Sequence, residues 1–327
     1  MPAQPLGLTA AGYAAAFTNF NAIFQGALNQ PGYPEVWNQV CTIVNSTTDA
    51  EQYDFRYFLG SMKKWVGSRQ LEKFKAETMT VRHLKYENSV EIQLDDLEDD
   101  KTNGFTIGLQ DLAVDARQHK DDILAEFLNA HIAGTATNDY PVGFDGLTLF
   151  KATHNWAGSA YTTNQSNILT GAHTGKLDLT YGRANLQAAL DLMKAFRKPN
   201  GKHIPTRPTD LVCSSSVLWA AKEILHDSGF QLGATTTTDF VRGTRNPLYN
   251  PGIRIHELPG LTTGYWALLD CARGLNPLIF QLRKDITPSN NRGGDTEFMT
   301  QSLYYGVDAR YAVAAGPWWR CVAGDGT

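Results

Sequence analysis

A handful of residue groupings in this sequence could do chemistry. His154, in Lys151-Ala-Thr-His154-Asn155-Trp156, lies a short way past Asp145. An imidazole held by a carboxylate can act as the general base of a hydrolase. The simpler reading is a histidine hydrogen-bonded at a turn. Gly171-Ala-His-Thr-Gly175-Lys176-Leu177 has the glycines and lysine of a phosphate cradle. It is one residue short, and Leu177 stands where a Ser or Thr hydroxyl must bind Mg²⁺. His256-Glu257 opens like a zinc-protease helix, but no second His follows one turn later and its neighbours look strand-like. Asp95, Asp96, Glu98, Asp99 and Asp100 could attract Ca²⁺. However, Lys101 and Ile107 occupy the Gly and Glu positions of a calcium loop begun at Asp96. Trp318-Trp319 beside Arg320 could stack on bases, although paired tryptophans more often anchor a core or an interface. The 8 His residues show no ligand spacing. The residues therefore assign no catalytic, cofactor-binding or metal-binding role.

The elements that would have to position such groups read more clearly. Ala11 to Phe24 carries Tyr13, Phe17, Phe20 and Phe24 at helical spacing, and Gln30-Pro31-Gly32-Tyr33-Pro34 then breaks the chain. Trp37, Val40 and Val44 suggest a short second helix. Residues 1–60 thus form an aromatic arm with no core of its own. Over 78–95, Met79 and Val81 alternate with Thr80 and Arg82, and Val90, Ile92 and Leu94 alternate with Glu91, Gln93 and Asp95. With Tyr86 to Ser89 as a turn, this predicts a two-stranded ribbon that needs a surface to pack on. The clearest helix runs over 106–133, where Leu109, Leu112, Ala116, Ile123, Phe127 and Ile132 form one stripe closed by Gly134. Further helices are predicted over 180–197 and Ser216 to Leu225. Strands are predicted at Leu211 to Cys213, 253–258, 264–270, 277–283 and Leu303 to Val313. A Gly/Thr/Asn-rich loop spans 227–252. Helices and strands fall in separate runs, so the fold class is α+β.

Composition narrows the classes further. The chain has 327 residues, 29 Lys+Arg against 33 Asp+Glu and a net charge of −4, which excludes a basic nucleic-acid-coating protein. With 11% aromatic residues it is not a disordered chain. At this length a single core is outgrown, so two lobes or one lobe with extensions are expected. No run of about 18 apolar residues marks a membrane span, and Met1 to Gln30 lacks the charged start of a secretory signal. Cys41, Cys213, Cys271 and Cys321 form no close pair and read as reduced, buried thiols. An arm and a ribbon without cores would expose apolar patches on a lone subunit, which favours an assembling protein.

Several stretches then resemble a known family. Trp37, Val40, Val44, Ser46-Thr47, Tyr53, Phe55 and Leu59-Gly60, followed by Met62-Lys63-Lys64-Trp65-Val66-Gly67-Ser68-Arg69, look like the opening of the Mu-like prophage major head subunit family. The acidic bend Asp96-Leu97-Glu98-Asp99-Asp100 with Gly104-Phe105 resembles the family's next block. Phe144-Asp145-Gly146-Leu147, Leu149-Phe150 and His154 resemble a later one. The likeness is strongest over 37–154.

The resemblance implies the Hong Kong 97-type capsid fold of tailed phages, and with it a structural protein and no enzyme. Residues 1–60 would be the N-terminal arm and 61–105 the extended loop. Residues 106–174 would be the peripheral domain with its spine helix, 175–290 the axial domain, and 291–327 the return to the peripheral domain. Pentamers and hexamers of the chain would close an icosahedral shell around packaged double-stranded DNA. It would meet portal, scaffold and decoration proteins, and it would form in the host cytoplasm and persist in the virion. No cofactor, metal or membrane is expected. Tyr53, Trp65, Arg69, Val90, Ile92 and Leu94 are the expected inter-subunit contacts. Little N-terminal processing is expected, and Lys85 is available for a covalent crosslink. The alternatives are an encapsulin-like compartment and a hydrolase using His154 and Asp145.

Overall fold

A computed structural model describes residues 10–30, 35–48, 50–57, 62, 64, 65, 67, 75–93, 104–156, 159, 161–231, 242–290 and 302–327. Helix α1 (Ala10–Leu28) is followed by the short α2 (Val36–Val40) and by strand β1 (Cys41–Asn45). Strands β2 (Ala50–Tyr57), β3 (Lys75–Arg82) and β4 (Leu84–Gln93) precede helix α3 (Gly104–Ile132). Then come β5 (Ile168–Leu169), α4 (Gly182–Ala195), β6 (Asp210–Cys213) and α5 (Leu218–His226). The hairpin strands β7 (Gly229–Gln231) and β8 (Arg242–Arg245) lead to β9 (Arg254–Glu257) and β10 (Trp266–Leu269). The chain ends with β11 (Leu278–Asn290), β12 (Ser302–Ala315) and β13 (Cys321–Gly324).

Two sheets carry the structure. The first has the order β1-β11-β12-β4 and the second the order β5-β13-β10-β6-β9. Helix α3 has 29 residues, a rod of about 43 Å, and it serves two cores. Its C-terminal half, with Ile123, Phe127 and Ile132, joins the main core that also holds Leu186, Leu211, Leu268 and Trp318. Its N-terminal half, with Leu109, Leu112 and Ala116, packs with Phe20 and Phe24 of α1, Ile92 of β4 and Tyr305 of β12. The arm therefore lies on its own subunit's spine and sheet.

The period of 2 along a strand divides the first sheet cleanly. Leu278, Phe280, Tyr311 and Val313 face the main core. Ile279, Ala312 and Ala314 face the other way and are covered by Met79 and Val81 of β3.

Two expectations are corrected here. The second helix stops at Val40. Thr42, Ile43 and Val44 are β-branched and suit a pleated surface better than a helix, and β1 pairs in parallel with β11. The ribbon is also partnered differently. Tyr86 to Ser89 is no turn but the middle of β4, which pairs antiparallel with β12. β3 pairs instead with β2, from Ala50↔Arg82 to Tyr57↔Lys75. The alternation was read correctly, but alternation does not name a partner strand.

The expected strands at Leu211 to Cys213, 253–258 and 264–270 are β6, β9 and β10 of the second sheet, those at 277–283 and Leu303 to Val313 are β11 and β12 of the first, and β5 and β13 were not expected. The loop over 227–252 forms the β7–β8 hairpin at its base, and residues 232–241 lie outside the described residues.

Candidate functional site

His154 and Asp145 do meet. His154 Nδ1 lies 2.6 Å from Asp145 Oδ2 and Nε2 lies 3.3 Å from the Leu149 carbonyl. The ring is fully buried and stacks on Trp318 at 4.5 Å and 4°. Both nitrogens are occupied by oxygen atoms of the subunit's own fold, so neither faces a substrate. Beside the pair, Asn167 donates to the carbonyls of Leu149 (2.7 Å) and Trp318 (3.1 Å) and accepts from Lys151 N–H (2.7 Å). The group cross-braces the 145–167 segment against the C-terminal strand. Trp318 and Trp319 are buried, as core anchors are.

A second buried pair was not visible in the sequence. Asp210 of β6 accepts from His256 Nε2 at 2.7 Å, from an Arg254 guanidinium nitrogen at 2.8 Å and from Thr209 Oγ1 at 2.6 Å. Burial alone would raise its carboxyl pKa. The bonds from His256, Thr209 and Arg254 outweigh that and hold it at about 2. β6 and β9 are parallel neighbours, which brings positions 210 and 254 into register. Here His256-Glu257 lies on a strand, so the zinc-helix reading has no helix to stand on.

The phosphate-cradle resemblance also dissolves. Gly175 is pinned to the C-terminus: its carbonyl accepts from Trp266 Nε1 at 2.8 Å and its N–H donates to Thr327 O at 3.0 Å. No helix begins until Gly182. The acidic bend at 95–100 lies outside the described residues. Among the described residues, no three His, Cys, Asp or Glu side chains gather as a metal set. All four cysteines are free, and burial pushes the Cys213 thiol up to about 12.

The residues that do act together fasten the arm. Asp121 of α3 accepts from the N–H groups of Trp37 (2.7 Å) and Val36 (3.2 Å). Burial raises its carboxyl above the usual range, although these two amides pull it back. Arg117 pairs with Glu35 at 2.8 Å. Lys120, nearly buried, pairs with Asp285 at 2.7 Å and sits 4.6 Å from the centre of the Trp37 ring. Arg117, Lys120 and Asp121 are spaced i, i+3, i+4, so one face of α3 clamps the arm. On a helix with many other polar residues, nothing in the sequence marks these three as a set.

The expected contact residues are dispersed. Tyr53 Oη donates to Gln281 Oε1 at 2.7 Å, and Gln281 Nε2 donates to His83 Nε2 at 2.5 Å, fixing the β2–β3 ribbon to the first sheet. Burial raises the Tyr53 phenol to about 12. Ile92 is buried beneath α1, with Val90 packed partly beside it. Trp65 is 70% exposed and the neighbouring Met62 97%. Arg69 and Leu94 lie outside the described residues.

Comparison with known proteins agrees with this picture. The chain is 23% identical over 306 residues to the Mu-like prophage FluMu major head subunit of Haemophilus influenzae, spanning 93% of this chain and 70% of that protein. It is 22% identical over 304 residues to the major capsid protein of Escherichia phage Mu, spanning 72% of this chain and 96% of that one. Its fold matches the procapsid of bacteriophage JBD30 with a TM-score of 0.55 at 19% identity, covering 97% of this chain and 76% of the other. The sequence profile of the Mu-like prophage major head subunit gpT matches residues 13–181, 172–246 and 256–325. The match runs along nearly the whole chain, and the chain belongs to the Mu-like prophage major head subunit family, the major capsid proteins of Mu-like phages.

Proposed function

We propose that many copies of this chain, as pentamers and hexamers, close an icosahedral shell that encloses packaged double-stranded DNA. The observation that carries the reading is the family match along nearly the whole chain on a capsid fold. Residues 106–174, with the spine helix α3, are assigned to the peripheral domain. The axial domain is assigned to roughly 175–290, which holds α4, α5 and strands β6, β9 and β10 of the second sheet. Residues 1–60 are the arm and 61–105 the extended loop, and 291–327 return the chain to the peripheral domain. The net charge of −4 suits a wall that contains DNA without gripping it, because each added Lys or Arg contact to phosphate strengthens non-specific binding. Assembly takes place in the host cytoplasm, with portal, scaffold and decoration proteins as further partners.

Trp65, exposed where the chain passes between β2 and β3, is the foremost inter-subunit contact of the set that also contains Tyr53, Arg69, Val90, Ile92 and Leu94. Ile92 is covered by the chain's own Phe20 and Phe24. It becomes an inter-subunit contact where neighbouring copies exchange arms. Electron microscopy of the purified full chain is expected to show closed shells, whereas small oligomers under every condition tried would refute the reading. Trp65→Ala is expected to lower shell yield while leaving the subunit's thermal unfolding midpoint unchanged. A mutant that assembles normally removes Trp65 from the contact set.

A further inference from the structure

Residues 194–207 concentrate positive charge that neither the cores nor the buried pairs use. Lys194, Arg197, Lys198, Lys202 and Arg207 lie there with no Asp or Glu among them. These are five of the chain's 29 Lys+Arg, and they leave 24 against 33 Asp+Glu on everything else. A patch of one sign on a chain of the other sign is an electrostatic footprint.

The fold presents this patch on a rigid hairpin just after α4. Arg197 bridges antiparallel to His203, and Lys198 N–H donates to the Lys202 carbonyl at 2.7 Å. Pro199-Asn200-Gly201 closes the loop, with Gly201 at φ +79°, the left-handed residue that a three-residue hairpin loop needs. Phe196 and Ile204 are buried and anchor it. The Arg197 carbonyl accepts from Trp156 Nε1 at 2.6 Å and from Gln165 Nε2 at 3.2 Å, which bolts the base to the core. Lys194, Lys202, His203 and Arg207 are exposed.

Local needs account for only part of the charge. Lys194 and His203, whose Nδ1 lies 3.1 Å from the Lys194 carbonyl, suit the negative end of α4. Lys202 and Arg207 have no such role. Lys202 Nζ donates to the neutral Met62 carbonyl at 3.4 Å, and among the described residues no carboxylate pairs with either side chain. A protein partner would look for apolar anchors, yet no large apolar side chain of 194–207 is exposed. A surface with cations and no anchors fits a phosphate backbone better than a packed interface.

We infer that this hairpin is a contact surface for the phosphate backbone of double-stranded DNA, independent of base sequence, with Lys202 and Arg207 at its centre. This rests on the shell reading above, which puts such a duplex beside the chain. The rest of the chain is net negative, so attraction is confined to one spot per subunit and weakens steeply as salt rises.

The test uses the full chain before assembly and a labelled random-sequence DNA duplex, read by fluorescence anisotropy across a salt series. Lys202→Glu with Arg207→Glu is expected to weaken binding about tenfold and to flatten the slope of log affinity against log salt, with circular dichroism unchanged. Lys202→Arg with Arg207→Lys is expected to keep both affinity and slope. Lys85→Glu with Lys222→Glu changes the net charge equally at two other exposed lysines, and is expected to cost about threefold at most. An unaltered chain that does not bind, a conservative variant that loses binding, or equal losses from the two charge reversals would overturn the hairpin. Polyglutamate bound as tightly as the duplex, with the same dependence on Lys202 and Arg207, would overturn DNA as the partner. Electron microscopy of the same preparations separates this contact from the shell. Hairpin-dependent binding without shells sinks the shell and keeps the contact. Shells built from subunits that do not bind the duplex sink the contact and keep the shell. Loss of both sinks both.

Discussion

His131 sits in the last turn of α3, its ring stacked on Phe127 at 4.0 Å and its Nδ1 accepting the Leu149 N–H at 2.8 Å. Accepting that bond requires an unprotonated Nδ1, and burial lowers the side chain's pKa from 6.5 to about 4. A base with a depressed folded pKa binds fewer protons folded than unfolded. It therefore costs nothing above about pH 6.5, and stability falls as the pH drops from there towards 4. At 1.36 kcal/mol per unit the loss reaches about 3 kcal/mol. Urea unfolding of the subunit is expected to show this decline. His131→Gln, which keeps an acceptor for Leu149, is expected to flatten it between pH 6.5 and 4. Asp210 works in the opposite sense. Its stabilisation is present above the ordinary carboxylate range and is lost only as the pH falls towards 2. The difference in legibility between the two His–Asp pairs has a plain cause. Asp145 and His154 lie close in sequence, so their meeting could be weighed. Asp210 and His256 meet only because two parallel strands lie side by side.

The arm shows what periodicity can and cannot say about an element. Aromatic spacing predicted a helix with one sticky face, and α1 is that helix. What it sticks to is decided by α3. Asp121→Ala removes the acceptor of both the Val36 and Trp37 N–H groups and is expected to loosen α2 from the spine by about 1–3 kcal/mol. Hydrogen exchange of the amides at 36–40 is expected to speed up, with exchange at β10 unchanged. The ribbon teaches the same lesson more sharply. Val81 and Ile92 each keep their predicted inward face, yet they belong to different cores. A side-chain alternation is satisfied by any partner whose register matches, so β3 and β4 adjoin in sequence without pairing to each other.

Besides the connection through α3, two passages of chain lying side by side join the two sheets. Residues 270–277 carry the chain from β10 to β11, and residues 316–320 carry it back from β12 to β13. They are stitched by Asp270 N–H to Arg320 O at 2.8 Å and by Gly316 N–H to Pro277 O at 2.8 Å. The buried Arg320 reaches Asp270 Oδ1 at 3.1 Å and also bonds the Leu275 carbonyl. At Gly316 a Cβ would sit 2.6 Å from the Asn276 carbonyl oxygen, so only glycine permits the approach. Arg320→Met would strand the buried Asp270 without its cation. It is expected to cost about 3–5 kcal/mol in chemical denaturation. If the two sheets unfolded in one transition before the change, they are expected to separate into two after it.

From the sequence alone came the α+β class, the helix α1, the long helix α3, the strands β6, β9 and β10 and the family itself. Each is written in local periodicity or in a contiguous motif, and local interactions suffice to express it. The partner of each strand, the clamp of Arg117, Lys120 and Asp121 on the arm and the Asp210–His256 pair came only with the tertiary structure. Each joins residues distant along the chain, and which distant residues meet is settled by packing the whole subunit at once.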